Sequence, residues 1–70
     1  MRSPEQIFGQ NLAKQRNRLE LTQSVLAEKA GISLRYIQSL EAGEKLASVK
    51  VAARLKAALE CSWDDLLQGV

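Results

Sequence analysis

Residues 21–43 read Leu-Thr-Gln-Ser-Val-Leu-Ala-Glu-Lys-Ala-Gly-Ile-Ser-Leu-Arg-Tyr-Ile-Gln-Ser-Leu-Glu-Ala-Gly, and this stretch decides the fold. It contains two short segments that each begin after a hydroxyl residue suited to a helix N-cap. Thr22 precedes the first predicted helix, Gln23–Ala30. Ser33 precedes the second predicted helix, Leu34–Ala42.

The spacing of small and apolar residues in this stretch indicates that the two helices cross closely. Gly31 tolerates the left-handed conformation that ends the first helix, and Gly43 ends the second. Ala27 is small enough for the second helix to pass near its backbone. Apolar or small residues occupy the positions expected to face the core: Leu26, Ala27, Ala30, Ile32, Ile37 and Leu40. The pattern predicts a helix-turn-helix, an arrangement whose second helix enters the major groove of DNA.

The flanking sequence predicts three further helices and no strand. Pro4 suits the first turn of a helix over residues 4–19. Ser48 is the N-cap of a fourth helix, in which apolar residues recur at three- and four-residue steps. Ser62-Trp-Asp-Asp65 is a capping box before a short fifth helix. No linker or repeat divides residues 1–70, so we expect an all-α fold, a single compact five-helix domain.

The composition excludes several classes of protein. The 70 residues include no His and one Cys, so an internal disulfide is impossible and a zinc site lacks ligands. Cys61 is expected to be a buried structural thiol. No catalytic constellation is visible, and we expect neither enzyme activity nor a cofactor or metal. No apolar run resembles a signal peptide or approaches the ~18 residues of a membrane span, so a soluble cytoplasmic protein with no membrane partner is expected.

The charged residues are unevenly distributed along the chain. All ten Lys and Arg lie between Arg2 and Lys56 with only five acidic residues, which gives this segment a net +5, whereas the whole chain carries +2. A solvated surface and a basic face suited to an anionic polymer both fit this asymmetry. Five cations are expected to be mostly solvated: Lys14, Arg18, Lys29, Arg54 and Lys56.

Residues 21–43 resemble the Xre / phage repressor and Cro group of transcriptional regulators, and the resemblance extends through Ser62-Trp-Asp-Asp-Leu-Leu67. It implies a phage repressor-like DNA-binding domain, of a kind found mostly in bacteria and phages. Such domains bind double-stranded DNA at two-fold sites as homodimers. The resemblance also implies a buried salt bridge between Arg16 and Glu41, so that Glu41 is structural and makes no DNA contact.

The resemblance places a group of side chains near DNA phosphates. Thr22 and Gln23 begin the first motif helix, where free backbone amides suit an anion. Thr22 can equally be a plain cap, whereas Gln23 has no expected role in the core. Ser33 is first an N-cap and can also contact a phosphate. Tyr36 can stack on the sugar-phosphate backbone and donate its hydroxyl, and Lys45 is the cation of the loop after the second motif helix.

Four positions on the second motif helix are candidates for reading bases: Leu34, Arg35, Gln38 and Ser39. The forked guanidinium of Arg35 matches O6 and N7 of guanine, and the alternatives are a phosphate clamp or a solvated side chain. Gln38 and Ser39 can also reach base edges. Leu34 departs from the several family members that carry a polar residue there. It can pack on a thymine methyl group, or only against Gln23 or its own domain.

The predicted fifth helix carries an apolar cluster that indicates a homodimer interface. Trp63 is expected at the surface beside Leu67 and Val70, whereas core packing explains Leu66. Leu46 is expected either to reach a partner subunit or to cover the core.

Two functions of different classes stay open at this point. The first is a sequence-specific DNA-binding regulator that occludes a promoter or touches polymerase. The second is a protein-binding module, such as an antitoxin that covers a toxin. The basic segment and Arg35 favour DNA, whereas the apolar tail leaves protein binding open. Because 70 residues leave no room for an effector domain, no small-molecule effector is expected.

Overall fold

A computed structural model describes every residue, Met1–Val70, and contains five helices and no strand. In chain order they are α1 (Pro4–Arg18), α2 (Gln23–Ala30), α3 (Leu34–Glu41), α4 (Val49–Leu59) and α5 (Trp63–Leu67). The all-α prediction with a helix-turn-helix is confirmed. Two predicted ends are one residue too long, because Leu19 and Ala42 are the caps of α1 and α3 rather than their last helical residues.

Every helix begins after a Ser or Thr whose side-chain oxygen accepts a hydrogen bond from a backbone N–H three residues later. This satisfies one of the amides that a helix N-terminus leaves unpaired. In α1 and α5 the third helical residue also accepts from the cap backbone, which completes a capping box. The sequence indicated four of the five caps, whereas Ser3 was overlooked because Pro4 already marked the start of α1. The five caps are Ser3, Thr22, Ser33, Ser48 and Ser62.

All five helices contribute to one apolar core. Leu12 on α1, Leu26 on α2, Leu40 on α3, Leu55 on α4 and Leu66 on α5 are fully buried. The core fixes the position of α3 because its inward side is held by these neighbours. The complete cluster is Phe8, Leu12, Leu26, Ala27, Ala30, Ile37, Leu40, Leu55, Leu59 and Leu66.

The distance between α1 and α3 is set at the point where the two helices cross. Gly9 is buried, and a Cβ atom at this position would overlap the carbonyl oxygen of Leu40. Only glycine therefore allows the two helices to approach this closely. Nothing in the local sequence pattern indicated this role for Gly9.

Two expectations, one for Cys61 and one for Arg18 at the end of α1, need correction. Cys61 is half-buried rather than buried; burial raises the pKa of its thiol, with a further contribution from the charge of Asp65. Arg18 is more than a solvated charge: its guanidinium donates to Gln15 Oε1 and to the carbonyl oxygen of Leu59, both at 2.9 Å. It thus satisfies a carbonyl at the end of α4 that the helix leaves unpaired.

None of the helices combines the length and the apolar character that crossing a membrane requires.

Candidate nucleic-acid interface

The turn between α2 and α3 has the geometry that a helix-turn-helix requires. Gly31 adopts the left-handed conformation, with φ of 69°, and the N–H of Ile32 donates to the carbonyl oxygen of Ala27 at 3.0 Å. Ile37 and Leu40 then bury the inner side of α3. These contacts leave the outer side of α3 free of the body of the domain.

The outer side of α3 carries the predicted base-reading residues. Leu34, Arg35 and Gln38 are exposed, and Ser39 is half-buried. The side chains of Arg35, Gln38 and Ser39 line one shallow, mostly polar groove. The guanidinium of Arg35 has no acidic partner, because Arg16–Glu41 is the only ion pair of the chain. The groove therefore presents donors and acceptors that are free to bind an external ligand.

Glu44 also lines this groove, although the sequence pattern indicated no role for it. Its backbone N–H donates to the carbonyl oxygen of Ser39 at 3.1 Å, which completes the turn through Gly43 at the end of α3. The carboxylate is exposed and has no cationic partner. Its position directly after the glycine that ends α3 was the one sequence signal that could have located it.

Arg16 and Glu41 form the ion pair that the family resemblance implied. Arg16 Nε lies 2.7 Å from Glu41 Oε2, and Nη2 lies 3.0 Å from Oε1, so the contact is bidentate. The two side chains are 15% and 9% exposed. The hydrogen bond to Glu41 raises the pKa of Arg16, against the opposing effect of burial. A further hydrogen bond from Nη1 to the carbonyl oxygen of Leu21 ties this pair to the segment before α2.

Gln23, the first residue of α2, takes part in the same network. Its side chain is half-buried, and Nε2 donates to Glu41 Oε1 at 3.0 Å. Gln23 was expected to have no role in the core; the hydrogen bond to Glu41 gives it a structural role outside the apolar core. Contact between this residue and a phosphate is still a prediction.

The hydroxyls of Thr22 and Ser33 act as helix caps. Thr22 Oγ1 accepts from the N–H of Val25, and Ser33 Oγ accepts from the N–H of Tyr36, both at 3.1 Å. Each hydroxyl still has its own proton to donate. Both residues are exposed, so the capping role and the predicted phosphate contact are compatible.

The structure brings together two of the predicted phosphate-contacting residues. Lys45 Nζ lies 4.5 Å from the centroid of the Tyr36 ring, which is within the range of a cation–π interaction. Tyr36 is half-buried and packs against the core. The ring therefore positions the ammonium group beside α3, a relationship that the sequence did not indicate.

Comparisons with known proteins agree with this geometry. The helix-turn-helix family HTH_3 matches residues 12–66. The chain belongs to this family of Cro/C1-type, Xre DNA-binding transcription regulators. No curated protein matches the chain. Among solved structures, the restriction-modification controller protein C.AhdI from Aeromonas hydrophila is similar: the identity is 29%, the match covers 89% of this chain and 94% of that chain, and the TM-score is 0.84.

Apart from α3, this HTH_3 domain has a second notable surface, an apolar groove at α5. Trp63, Leu67 and Val70, the predicted interface residues, are each a little over 40% exposed. The structure places all three around one groove with only hydrophobic lining; the other lining residues are Phe8, Leu46, Ala47, Val49 and Ala52. Leu46 thus lies at this groove rather than over the core, and Val49 is 84% exposed.

The groove has one cation next to it. Lys56 Nζ lies 5.6 Å from the centroid of the Trp63 ring, so Lys56 is not simply a solvated charge as expected. The contact holds Trp63 against α4 and leaves much of the indole in solvent.

Proposed function

We propose that this HTH_3 domain is a sequence-specific regulator of transcription that binds a two-fold site in double-stranded DNA as a homodimer, with α3 in the major groove. The observation that carries the proposal is the groove of Arg35, Gln38 and Ser39 on the outer side of α3. In a helix-turn-helix this side of the second helix faces the base edges.

The reading residues have distinct chemical roles in this proposal. Arg35 donates two hydrogen bonds to O6 and N7 of a guanine, which requires its guanidinium to be free of an internal acid, as it is here. Gln38 and Ser39 reach neighbouring base edges. Leu34, at the start of α3, lies nearest to the base edges.

Phosphate contacts fix the orientation of α3 on the duplex. The first amides of α2 and α3 point out of their helix N-termini, and together with Thr22, Gln23 and Ser33 they form donor groups for phosphate oxygens. Lys45, held over Tyr36, adds a positive charge on the same side. Few cations take part, so the salt dependence of binding is shallow for a DNA-binding domain.

A second copy of the chain is the proposed occupant of the apolar groove at α5. Two-fold DNA sites require two recognition helices about 34 Å apart, which a symmetric dimer provides. A domain of this size gains stability from a dimer interface. A groove with only hydrophobic lining is suited to association with an equally apolar surface, and the groove of the second copy is such a surface.

The similarity to C.AhdI supports a controlling role in transcription. That protein is described as a restriction-modification controller, and the two chains match over most of their lengths. The proposed role is the binding of an operator. No observation favours a toxin over a second copy of the chain as the partner at the apolar groove.

Selection of binding sequences from a random duplex library, near physiological salt, tests the proposal. The wild-type chain is expected to select a two-fold symmetric site. Arg35→Ala is expected to lose the preference at one base pair per half-site, about 1–3 kcal/mol of discrimination. Arg54→Ala, which removes an exposed Arg from α4, is the control and should keep that preference. A selected pool that stays random, with binding abolished by salt, would contradict the proposal.

A further inference from the structure

Leu34 is an apolar side chain on the otherwise polar outer side of α3. It is the first residue of α3, and 38% of its surface is exposed. The residues beside it that line the groove, Arg35, Gln38 and Ser39, are all polar. Leu34 is also not among the apolar side chains that pack against the core. Leu34 is therefore the one large apolar side chain that α3 exposes.

The position of Leu34 restricts what it can bind on DNA. The N-terminal residues of the second helix of a helix-turn-helix lie closest to the base edges. A leucine neither donates nor accepts a hydrogen bond. The one apolar group on the major-groove edge of an unmodified base pair is the C5-methyl group of thymine.

We propose that Leu34 binds the 5-methyl group of a pyrimidine in each half-site, next to the base pair that Arg35 reads. This inference rests on the proposed function. The ligand chemistry is a 5-methylpyrimidine, which thymine supplies in ordinary DNA and 5-methylcytosine supplies in methylated DNA. The domain would accordingly respond to cytosine methylation at that one position.

The alternative is that Leu34 only covers Gln23 or its own domain. The side-chain amide of Gln23 already donates to Glu41 Oε1 at 3.0 Å. Gln23 is therefore held in place by a polar contact that does not involve Leu34. The exposed fraction of Leu34, 38%, leaves part of its surface available for an apolar group on DNA.

The test uses the selected duplex and changes the DNA before the protein. Each thymine is replaced in turn by deoxyuridine, which lacks only the methyl group. We expect one symmetric thymine per half-site at which the replacement weakens binding about threefold to fivefold, the effect of burying one methyl group. At the same position, 5-methylcytosine should bind tighter than cytosine by a similar factor.

Protein variants then assign the methyl contact. Leu34→Ala should abolish both the thymine–deoxyuridine difference and the 5-methylcytosine–cytosine difference. Val25→Ala is the matched control, since Val25 is 41% exposed and lies on α2, and it should retain both differences.

The outcomes separate this inference from the proposed function. A selected two-fold site in which no thymine is sensitive to deoxyuridine overturns the inference and leaves the proposed function intact. A sensitivity that persists in Leu34→Ala overturns the assignment to Leu34. Equal binding of 5-methylcytosine and cytosine at the sensitive position also overturns it, because the methyl group is then not the feature that is read. Failure to select any site overturns the proposed function itself.

Discussion

Gln23 and Arg16 both donate a hydrogen bond to the same oxygen of one carboxylate, Glu41 Oε1, each at 3.0 Å. The acceptor lies at the end of α3, and its two donors lie on α1 and at the start of α2. One carboxylate therefore joins the three helices on which the proposed DNA contacts depend. The orientation of Gln23, a proposed phosphate contact, is therefore coupled to the Arg16–Glu41 ion pair.

Removal of the charge in Glu41→Gln is expected to lower the free energy of unfolding by about 3 kcal/mol, because Arg16 is left largely buried without its counter-charge. Urea denaturation measures this loss. Glu28→Gln removes the same charge from an exposed position on α2 and should change stability by less than about 0.5 kcal/mol. Equal stabilities of the two variants would show that the ion pair is dispensable.

The crossing of α1 and α3 makes a clear prediction for Gly9. Alanine normally stabilises a helix interior relative to glycine by about 1 kcal/mol. Here the new Cβ would overlap the carbonyl oxygen of Leu40, which is backbone and cannot rotate away, so Gly9→Ala is expected to destabilise the domain by about 3 kcal/mol. Thermal or urea unfolding shows whether Gly9→Ala raises or lowers the free energy of unfolding.

Gly31→Ala is the informative comparison for Gly9→Ala. No atom lies within 4 Å of a Cβ at Gly31, so the only cost is the left-handed backbone, with φ of 69°. That cost is about 1–2 kcal/mol. If Gly9→Ala proved neutral or stabilising, α1 and α3 would not be in the close contact described.

The apolar groove at α5 predicts that Trp63→Ala weakens self-association. Truncating a central aromatic residue of an interface commonly costs 2 kcal/mol or more, so the dimer dissociation constant is expected to rise at least about tenfold. Sedimentation equilibrium measures it. Val25→Ala, which removes an exposed apolar side chain from α2, should leave it unchanged. A wild-type chain that is monomeric at every concentration would rule out the groove as a dimer interface.

The capping box of α5 predicts a pH dependence of stability. The N–H of Ser62 donates to Asp65 Oδ2 at 2.9 Å, and the hydrogen bonds with Ser62 lower the pKa of Asp65 below its ordinary 3.8. A lowered folded pKa stabilises the fold at pH values above 3.8, and this contribution is lost as the pH falls through the folded value. Asp65→Asn should therefore be less stable than wild type at neutral pH and should show a shallower loss of stability below pH 3.8.

Asp64→Asn is the control for this capping effect. Asp64 lies beside Asp65 in the first turn of α5, but Asp65 is the carboxylate that accepts from the cap backbone. Denaturation curves between pH 2.5 and 7 should separate the two variants, with Asp64→Asn keeping the wild-type slope in the acidic range. Identical slopes for all three proteins would assign the acid sensitivity to other groups.

The sequence was sufficient for the features that local patterns encode. Thr22, Ser33 and Ser62 were identified as caps because an N-cap hydrogen bond spans only three residues. Gly31 was identified as a helix end because its conformation is restricted by its own backbone. The Arg16–Glu41 pair spans 25 residues, and only the family resemblance indicated it.

The remaining features depend on how helices cross, which local patterns do not encode. Gly9 faces α3 at a distance that no property of α1 alone determines. The contact between Lys45 and Tyr36, and the hydrogen bond from Gln23 to Glu41, likewise join separate elements. Glu44 was overlooked because an exposed acid in a loop has no distinctive pattern beyond its position after Gly43, and its place in the groove is apparent only once α3 is positioned.

Glu44 gives the last prediction, which concerns the strength of DNA binding. Glu44 lines the groove with Arg35, Gln38 and Ser39, and its carboxylate has no cationic partner, so we expect it to repel the phosphates of a duplex bound along α3 as proposed. Glu44→Lys is expected to raise affinity about twofold to fivefold near physiological salt, the range for one exposed ion pair. The slope of log K against log salt should become steeper by about 0.9, the value for one added phosphate contact.

Glu28→Lys makes the same change of charge on α2, outside the α3 groove, and separates position from net charge. Its slope should stay within about 0.3 of wild type, because a charge that does not contact a phosphate releases little counterion. Affinities measured by fluorescence anisotropy at several salt concentrations provide both slopes. If the two variants steepened the slope equally, net charge would account for the effect, and Glu44 would have no special place at the interface.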